Sequence, residues 1–500
     1  MLINIKHLTV LGLSATTAAC TNSRESGAEN PCFCGYPIQI QRIIFILILL
    51  ILLSCNRVTH TELTPPLMVS ENHRFLVTNR GAPFFWLGDT GWLLFAKLSR
   101  EEAELYLETR RLQGFNVIQV MVLHSTENAV NFYGDSAIIS GRVDRPLTTP
   151  GNSFDDPEQY DFWDHIDYVV DLACRKGLYM ALVPVWGSNV RAGHVTVEQA
   201  GKYGEWIAER FKDRPNVIWL NGGDVRGDDS TAVWKTLGSA IRQKSPDQLI
   251  TYHPFGRTQS STWFHNEPWL DFNMFQSGHR RYDQDTTGLA YGEDNWRYAV
   301  DDYSRMPVKP TLDGEPSYEG IPQGLHDTTQ PYWTDKEVRR YAYWSVFAGC
   351  CGFTYGHSAI MQFYKTTDGK PGYGAKEFWN TAINAPGALQ MKYLKQLMLS
   401  KPYFERVPAN ELLSDKQGER YDYIAVTQGD EYVFAYTWNG RDIPLSLQKL
   451  PGEDYKASWF DPQTGTSTRT GIYKNTGVTI FDPPGEKESG NDWVLVLEEI

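Results

Sequence analysis

Short apolar segments alternate with amphipathic stretches from about residue 83 to residue 357, and this alternation constrains the fold more than any other feature. Eight such segments in roughly 280 residues are typical of a (β/α)₈ TIM barrel, in which each parallel strand is followed by a helix. A doubly wound sheet is the alternative, but no Gly-x-Gly-x-x-Gly follows any of these strands. The predicted strands lie at 83–89, 116–124, 179–186, 217–220, 249–254, 271–277, 307–312 and 352–357.

Helix start and stop signals separate these segments. Ser99 is followed three residues later by Glu102, the pattern of a capping box, and predicts a helix that runs to about Gln113 and ends at Gly114. The stretch from Asp161 to Lys176 has its apolar residues on one stripe, which predicts a second helix. Further helices are predicted over about 197–211, 231–243 and 335–347.

The pattern changes beyond about residue 401, where apolar residues alternate with a short period between Gly- and Pro-containing turns. This alternation predicts a small antiparallel β-sandwich. The chain is therefore divided into a leader (1–55), a polar linker (56–72), the barrel (73–400) and the sandwich (401–500).

The leader contains an apolar run, 43–53, that follows Arg42 and ends in Leu52-Leu-Ser-Cys55. A basic residue, a run of this length and a small residue before a cysteine are typical of a secretory signal. The ending resembles a bacterial lipobox, which predicts lipidation of Cys55 and an exported protein held at the membrane only by its lipid. A membrane-anchoring helix is the alternative, although the run is short for a span.

Composition narrows the class of protein. The net charge of −13 argues against a nucleic-acid partner. Beyond the leader only Cys174, Cys350 and Cys351 remain, so no disulfide framework is predicted, and no Cys/His spacing indicates a metal site. Nothing in the sequence calls for a cofactor. Aromatic residues make up 13% of the chain, which is consistent with large aromatic cores or with a sugar-binding cleft.

Two strand ends carry candidate catalytic carboxylates. Asp224 ends the segment Asn216-Val-Ile-Trp-Leu-Asn-Gly-Gly-Asp, and Glu315 follows Pro310-Thr-Leu-Asp-Gly. Both would lie at the carboxyl-terminal mouth of a parallel barrel, where two facing carboxylates can cleave a glycosidic bond. Gly222 and Gly223 would let the backbone approach the sugar closely. Asp224 could instead cap a helix and Glu315 could pair with an arginine, and the pattern does not choose between Glu315 and Asp313.

Other polar and aromatic residues follow the predicted strands and would contact sugar hydroxyls or rings. Asp89 could instead cap the turn that follows it, and a single histidine is more often structural than a ligand. The candidate substrate-binding residues are Asp89, His124, Trp186, Asn221, His253, Gln276 and His357. Long connections after strands two, six and eight would build the cleft and carry Phe132, Tyr133, His279, Tyr291, Trp296, Phe363 and Tyr364.

Several of these segments together resemble the apiosidase-like group, glycoside hydrolase family 140, over about residues 70–500. The barrel motifs are Phe85-Trp-Leu-Gly-Asp-Thr-Gly-Trp92, Gly114-Phe-Asn-Val117, Asn221-Gly-Gly-Asp224 and Asp313-Gly-Glu-Pro316, and the tail resembles the collagen-binding-like sandwich that accompanies this group. The resemblance implies a retaining barrel glycosidase with Asp224 as acid/base and Glu315 as nucleophile. Most of the wider clan has a glutamate preceded by asparagine at the acid/base position, where this sequence has Asp224.

These observations together predict a lipid-anchored retaining exo-glycosidase whose partner is an oligosaccharide or polysaccharide. The resemblance alone suggests the sugar, apiose released from rhamnogalacturonan-II side chains of pectin. Two alternatives stay open. One is another specificity on the same barrel, such as an arabinofuranosidase or a galactosidase, and the other is a non-catalytic surface glycan-binding lipoprotein.

Overall fold

Eight parallel strands form the barrel in the computed structural model, which describes residues 64–285 and 291–500. Their side chains are almost all buried, as expected for strands covered by helices on one side and packed together on the other. The strands are β1 Trp86–Thr90, β2 Val117–Leu123, β3 Tyr179–Val185, β4 Val217–Val225, β5 Ile250–Pro254, β6 Asn273–Gln276, β7 Thr311–Asp313 and β8 Gly352–Tyr355.

Hydrogen-bonded pairing runs in the order β5-β4-β3-β2-β1-β8-β7-β6. The remaining gap, between β5 and β6, is bridged where Asp271 N donates to Ile250 O at 2.9 Å and Thr251 Oγ1 donates to Phe272 O at 2.6 Å. The sheet is therefore a nearly closed barrel, and the predicted (β/α)₈ fold is confirmed. A short antiparallel strand, Thr258–Gln259, pairs with the outer part of β6.

Helices follow the strands on the outside of the barrel. The predicted start at Ser99 is confirmed, because its side chain and that of Glu102 form a reciprocal capping box. The helices are α1 Leu94–Lys97, α2 Arg100–Leu112, α3 Phe162–Arg175, α4 Gly187–Arg191, α5 Val197–Phe211, α6 Thr231–Lys244, α7 Ser261–Phe264, α8 Trp296–Ser304, α9 Asp335–Phe347, α10 Ser358–Met361, α11 Trp379–Ala382 and α12 Pro386–Leu399.

Of the helices longer than five residues, α8 and α12 were not predicted from the sequence, and neither were the short helices α1, α4, α7, α10 and α11. In α12 the residues Leu389 and Leu399 are exposed although Met391 and Leu394 are buried, so its apolar residues do not form one stripe. A helix without a single apolar stripe gives no clear periodic signal.

The predicted linker is partly wrong, because Leu67–Val69 forms a strand. It pairs antiparallel with Leu76–Thr78, which pairs in turn with Pro83–Phe84. Leu67 is buried, so this part of the chain packs on the barrel rather than connecting two bodies.

The C-terminal part forms the predicted antiparallel sandwich. A six-stranded sheet has the order β9-β10-β11-β16-β13-β14, and β12 pairs with β15 in a second sheet. The strands are β9 Val407–Pro408, β10 Ile424–Gln428, β11 Tyr432–Thr437, β12 Ile443–Ser446, β13 Asp454–Phe460, β14 Ser467–Lys474, β15 Val478–Phe481 and β16 Trp493–Glu499.

Both faces of the central strands are buried, which explains their continuous apolar sequence. Val433 and Ala435 of β11 face the core of the sandwich, whereas Phe434 and Tyr436 face the barrel. Tyr436 stacks on Tyr343 of α9 with ring centroids 4.7 Å apart. The sandwich is thus packed against the barrel through aromatic side chains.

The predicted leader, with its lipidation site Cys55, lies outside the described residues. Over 64–285 and 291–500, no helix has the length and apolar character needed to cross a membrane. Cys350 and Cys351 are free thiols buried in the core.

Candidate active site

Asp224 is aimed by an irregular turn at the end of β4. The pairing of β4 with β5 shifts register between Gly222 and Val225, and three consecutive residues have positive φ: 93° at Gly222, 113° at Gly223 and 54° at Asp224. Glycine adopts such angles without the steric cost that other residues incur. The bulge turns the Asp224 side chain from the strand into the mouth of the barrel.

The two glycines also lie against other groups of the protein. A Cβ atom at Gly222 would lie 2.6 Å from His253 O, and one at Gly223 would lie 2.7 Å from the Trp186 ring. These glycines therefore admit groups of the protein itself, and the approach of their backbone to the sugar stays a prediction.

Glu315 follows β7 directly and is held by neighbouring strand ends. Its backbone carbonyl accepts hydrogen bonds from Ser277 N at 3.0 Å and Gly278 N at 3.1 Å. Its carboxylate faces two imidazoles. His253 Nε2 lies 3.0 Å from Oε2, and His279 Nε2 lies 3.4 Å from Oε1.

The tautomers of both histidines follow from their other ring nitrogens. His253 Nδ1 accepts the backbone N–H of Asp224 at 3.3 Å, and His279 Nδ1 accepts that of Tyr318 at 3.3 Å. A neutral imidazole with Nδ1 as acceptor carries its proton on Nε2. The Nε2–H of His279 therefore donates to Glu315 Oε1, and that of His253 lies in close contact with Oε2. The His253 ring thus lies between the backbone of Asp224 and the side chain of Glu315.

The pKa values of Glu315 and Asp224 are shifted in opposite directions. Burial alone would raise the pKa of Glu315, but the Nε2–H groups of His253 and His279 beside its carboxylate lower it to about 2. Burial raises the pKa of Asp224 to about 6, and the negative charge of Glu315 adds to this rise, against smaller opposing effects of the histidines and Gln276. Near pH 5, Glu315 is ionised while Asp224 still carries a proton.

Two other carboxylates close to Glu315 in sequence, Asp313 and Glu319, do not line the cavity. Asp313 is buried and accepts hydrogen bonds from Ser277 Oγ at 2.7 Å and Asn295 Nδ2 at 3.0 Å. Glu319 is buried against the Tyr355 hydroxyl, at 2.7 Å. Of these three carboxylates, Glu315 is the one that lines the same cavity as Asp224. In the described part of the chain, no cluster of His, Cys, Asp and Glu could hold a metal ion.

Both carboxylates line a cavity of about 400 Å³ at the barrel mouth. Its size and its mixture of aromatic, apolar and polar walls fit a small polar ligand such as a sugar. The other main lining residues are Trp92, Met121, His124, Trp186, Arg257, Gln276, His279, Arg280, Tyr318, Leu325, His326, Met361 and Tyr373.

Three of the seven candidate substrate-binding residues line this cavity: His124, Trp186 and Gln276. Trp186 packs on Trp92 with ring centroids 5.4 Å apart, so the two indoles form one wall. Such a wall suits the flat C–H face of a sugar ring. Direct contact of these residues with the substrate stays a prediction.

The other four do not line it. His253 lies behind Glu315, as described. Asn221 is buried, donates through Nδ2 to Trp234 O at 2.8 Å and accepts from Gly222 N, so it supports the bulge. His357 is buried and accepts from Ala359 N at 3.1 Å, which caps α10. These side chains point into the protein because strand ends alternate between cavity and core.

Asp89 is also structural. It is fully buried and its Oδ2 accepts hydrogen bonds from Tyr106 Oη at 2.5 Å and Arg110 Nε at 2.6 Å, both on α2. This ion pair joins β1 to its helix behind the cavity wall, so the predicted role in binding hydroxyls is not supported by its position.

Asp89→Ala is expected to lower the free energy of unfolding by about 3–5 kcal/mol, because it leaves the buried Arg110 charge without its partner. Urea unfolding at pH 7 measures the change. Asp228→Ala removes an exposed pair with Arg226 and should change it by less than about 1 kcal/mol. If Asp89→Ala unfolded like the unsubstituted protein but had a raised KM, Asp89 would instead be assigned to substrate binding.

Several cavity residues were not identified from the sequence. Trp92 lies just beyond the first strand and Tyr318 three residues after Glu315, so their positions relative to strand ends were available signals. Arg257 and Tyr373 lie in irregular connections that carry no periodic pattern. Of the aromatic residues on the long connections, His279 lines the cavity, whereas Phe132 is exposed and Phe363 belongs to the core.

A second hollow of about 270 Å³ adjoins the cavity. Phe255, Gly256 and Arg257 line both, so they form the ridge between them. Trp263 and Tyr291 also line the hollow, which gives it aromatic walls. A chain of sugars leaving the cavity could continue there.

Comparison with known proteins gives a consistent result. The family described as "Apiosidase-like, catalytic domain" matches residues 70–405, and a family named for the collagen-binding domain of a collagenase matches residues 407–498. A search of curated proteins gives no significant match.

Two solved structures are similar over most of the chain. One, titled "Glycoside hydrolase", is 46% identical, with a TM-score of 0.82 over 87% of this chain and 97% of its own. Another, a glycoside hydrolase family 5 protein from Bacteroides vulgatus, is 42% identical, with a TM-score of 0.82 over 87% of this chain and 93% of its own. The apiosidase-like family model matches two thirds of the length of this chain. The chain therefore belongs to the apiosidase-like family of glycoside hydrolases.

Proposed function

We propose that this protein is a retaining exo-glycosidase in which Glu315 is the nucleophile and Asp224 is the acid/base. The observation that carries the proposal is that Asp224 and Glu315 line one cavity while two imidazoles face Glu315. This arrangement shifts the two pKa values in opposite directions, to about 2 for Glu315 and about 6 for Asp224. A retaining glycosidase needs one ionised and one protonated carboxyl group on the two sides of the scissile bond.

The first step uses both groups in those states. The Glu315 carboxylate attacks the anomeric carbon while Asp224 gives its proton to the glycosidic oxygen, so the leaving alcohol departs neutral. The negative charge on Glu315 is then lost to the new ester bond, which removes one of the effects that raise the Asp224 pKa. Asp224 can then take a proton from water, which attacks the same carbon and releases Glu315.

The pH dependence of kcat/KM should follow from the two pKa values. Ionised Glu315 is lost as the pH falls towards about 2, and protonated Asp224 is lost as the pH rises above about 6. A profile with its maximum near pH 4, half of that rate near pH 6 and a decline of about tenfold per unit at higher pH is expected. An alkaline limb that persists unchanged in Asp224→Asn would contradict the assignment.

We infer that the released sugar is apiose from rhamnogalacturonan-II side chains of pectin, because family membership points to it and a cavity of about 400 Å³ suits a single terminal sugar. The second hollow would receive the rest of the chain. The test is incubation of the enzyme with a rhamnogalacturonan-II digest and identification of the released monosaccharide. Release of arabinose or galactose without apiose would favour the other specificity.

A non-catalytic glycan-binding protein is the rival from another class. Glycan binding without any cleavage, measured over days at pH 5, would support it. Catalysis is favoured because both carboxyl groups are present and because their opposite pKa shifts leave Glu315 ionised while Asp224 is protonated.

We further propose export with lipidation at Cys55, supported by the Leu52-Leu-Ser-Cys55 ending of the leader. Labelled palmitate should be incorporated into the protein expressed in a bacterium, and Cys55→Ser should abolish the label. Equal labelling of both forms would contradict the proposal.

A further inference from the structure

We propose that the C-terminal sandwich is a part of the catalytic apparatus, in which Tyr421 and Arg420 hold the barrel connection that presents His279 to Glu315. The proposal rests on the assignment of Glu315 as nucleophile. The connection is defined here by its residues 277–285, which follow β6 and bring His279 and Arg280 to the cavity wall.

The sandwich contacts this connection directly. The ring of Tyr421 lies 5.5 Å from that of Tyr282, and the guanidinium carbon of Arg420 lies 5.0 Å from the centre of the same ring. Tyr282 is three residues beyond His279. A displacement of Tyr282 would therefore be transmitted through three residues of backbone to His279, whose imidazole faces the nucleophile.

Glu293 fixes this contact with its two carboxylate oxygens. Oε1 accepts the Tyr421 hydroxyl at 2.7 Å and the backbone N–H of Tyr282 at 3.4 Å. Oε2 pairs with Arg340 of α9. Glu293 and Arg340 are both buried, so the pair acts in a medium of low dielectric and resists movement.

Rings from both parts of the protein surround Arg340. Tyr341 and Trp344 of α9 lie within 5.2 Å of its guanidinium carbon, and Tyr421 and Trp438 of the sandwich lie within 4.9 Å. A guanidinium over aromatic faces is stabilised by cation–π attraction. The sandwich thus completes the site that holds Glu293, and the barrel alone supplies only part of it.

A second contact lies farther along the chain. The rings of Trp296, at the start of α8, and Tyr423 are stacked with centroids 4.3 Å apart and an angle of 5° between planes. Asn295 next to it donates to Asp313 Oδ2 of β7 at 3.0 Å. The sandwich therefore contacts the barrel on both sides of Glu293, close to the strand that leads to Glu315.

Two variants test the proposal: Tyr421→Phe removes the hydrogen bond to Glu293, and Arg420→Gln removes the exposed cation over Tyr282. The control Tyr473→Phe changes a sandwich tyrosine that packs on Phe481, away from the barrel. Hydrogen–deuterium exchange of peptides covering 278–285 should become roughly tenfold faster in Tyr421→Phe, since a hydrogen bond to a charged group is lost. Unchanged exchange in both variants would overturn the proposal.

A double-mutant cycle separates positioning from general destabilisation. With His279 present, Tyr421→Phe should lower kcat about three- to tenfold. In a His279→Gln background the same change should have almost no further effect, because Tyr421 acts through His279. Equal losses in both backgrounds would overturn the proposal. The exchange measurement needs no substrate, so it still decides the matter if the expected hydrolysis is not observed.

Discussion

Glu315→Ala is expected to lower kcat/KM by at least about 10⁴-fold, the largest effect of any single substitution in this protein. The variant cannot form the covalent intermediate, and the two imidazoles of His253 and His279 lose the anion that they face. Hydrolysis of an activated aryl glycoside of the released sugar measures the loss. The cavity is otherwise unchanged, so substrate should still bind.

Chemical rescue identifies the role of Glu315. Azide can enter the space that the shortened side chain leaves and attack the anomeric carbon from the same face. Because only one displacement then occurs, the glycosyl azide should have the configuration opposite to that of the substrate. Glu377→Gln, an exposed glutamate near His357, is the control and should retain normal activity. An azide product with retained configuration would assign Glu315 to the other role.

Asp224→Ala is expected to lower kcat/KM by about 10²–10⁴-fold for substrates whose leaving group needs a proton. With a dinitrophenyl leaving group the first step needs no acid, so the loss should largely disappear from that step. The intermediate then accumulates, because no base activates water, and a burst of dinitrophenol should precede slow turnover. Stopped-flow absorbance measures both phases.

Azide also tests Asp224, with the opposite stereochemical outcome. It attacks the covalent intermediate in place of water, so two displacements occur and the azide product should retain the configuration of the substrate. Asp228→Asn changes an exposed aspartate four residues away and is the matched control. An equal loss for good and poor leaving groups would show that Asp224 does not act as the acid.

The barrel could be predicted because its signals are local. The cap at Ser99 with Glu102 and the stripe of helix α3 depend on nearby residues alone, and both were confirmed. Helix α12 was missed because its apolar residues face in several directions. The strand Leu67–Val69 is only three residues long and is stabilised by pairing with the next strand, which its own sequence does not reveal.

The site was predicted in part for the same reason. Parallel strands bring their carboxyl ends to one mouth, so Asp224 and Glu315 could be placed together from sequence alone. Whether a strand-end side chain enters the cavity depends on local twist and bulges, and these turned Asp89, Asn221 and His357 inward. Asp89 and Asn221 are held by partners on helices α2 and α6, whereas His357 caps the helix that follows it.

The sequence by itself determined the barrel, the sandwich and the pair of carboxylates, since strand order and apolar periodicity are local properties. Only the tertiary structure placed Glu315, and not Asp313, at the cavity with Asp224 and shifted the pKa values of Glu315 and Asp224 in opposite directions. The low pKa of Glu315 comes from His253 and His279, and the raised pKa of Asp224 comes from burial and from Glu315 itself. These effects act through space over a few ångströms between residues far apart in the chain, and no local pattern records them.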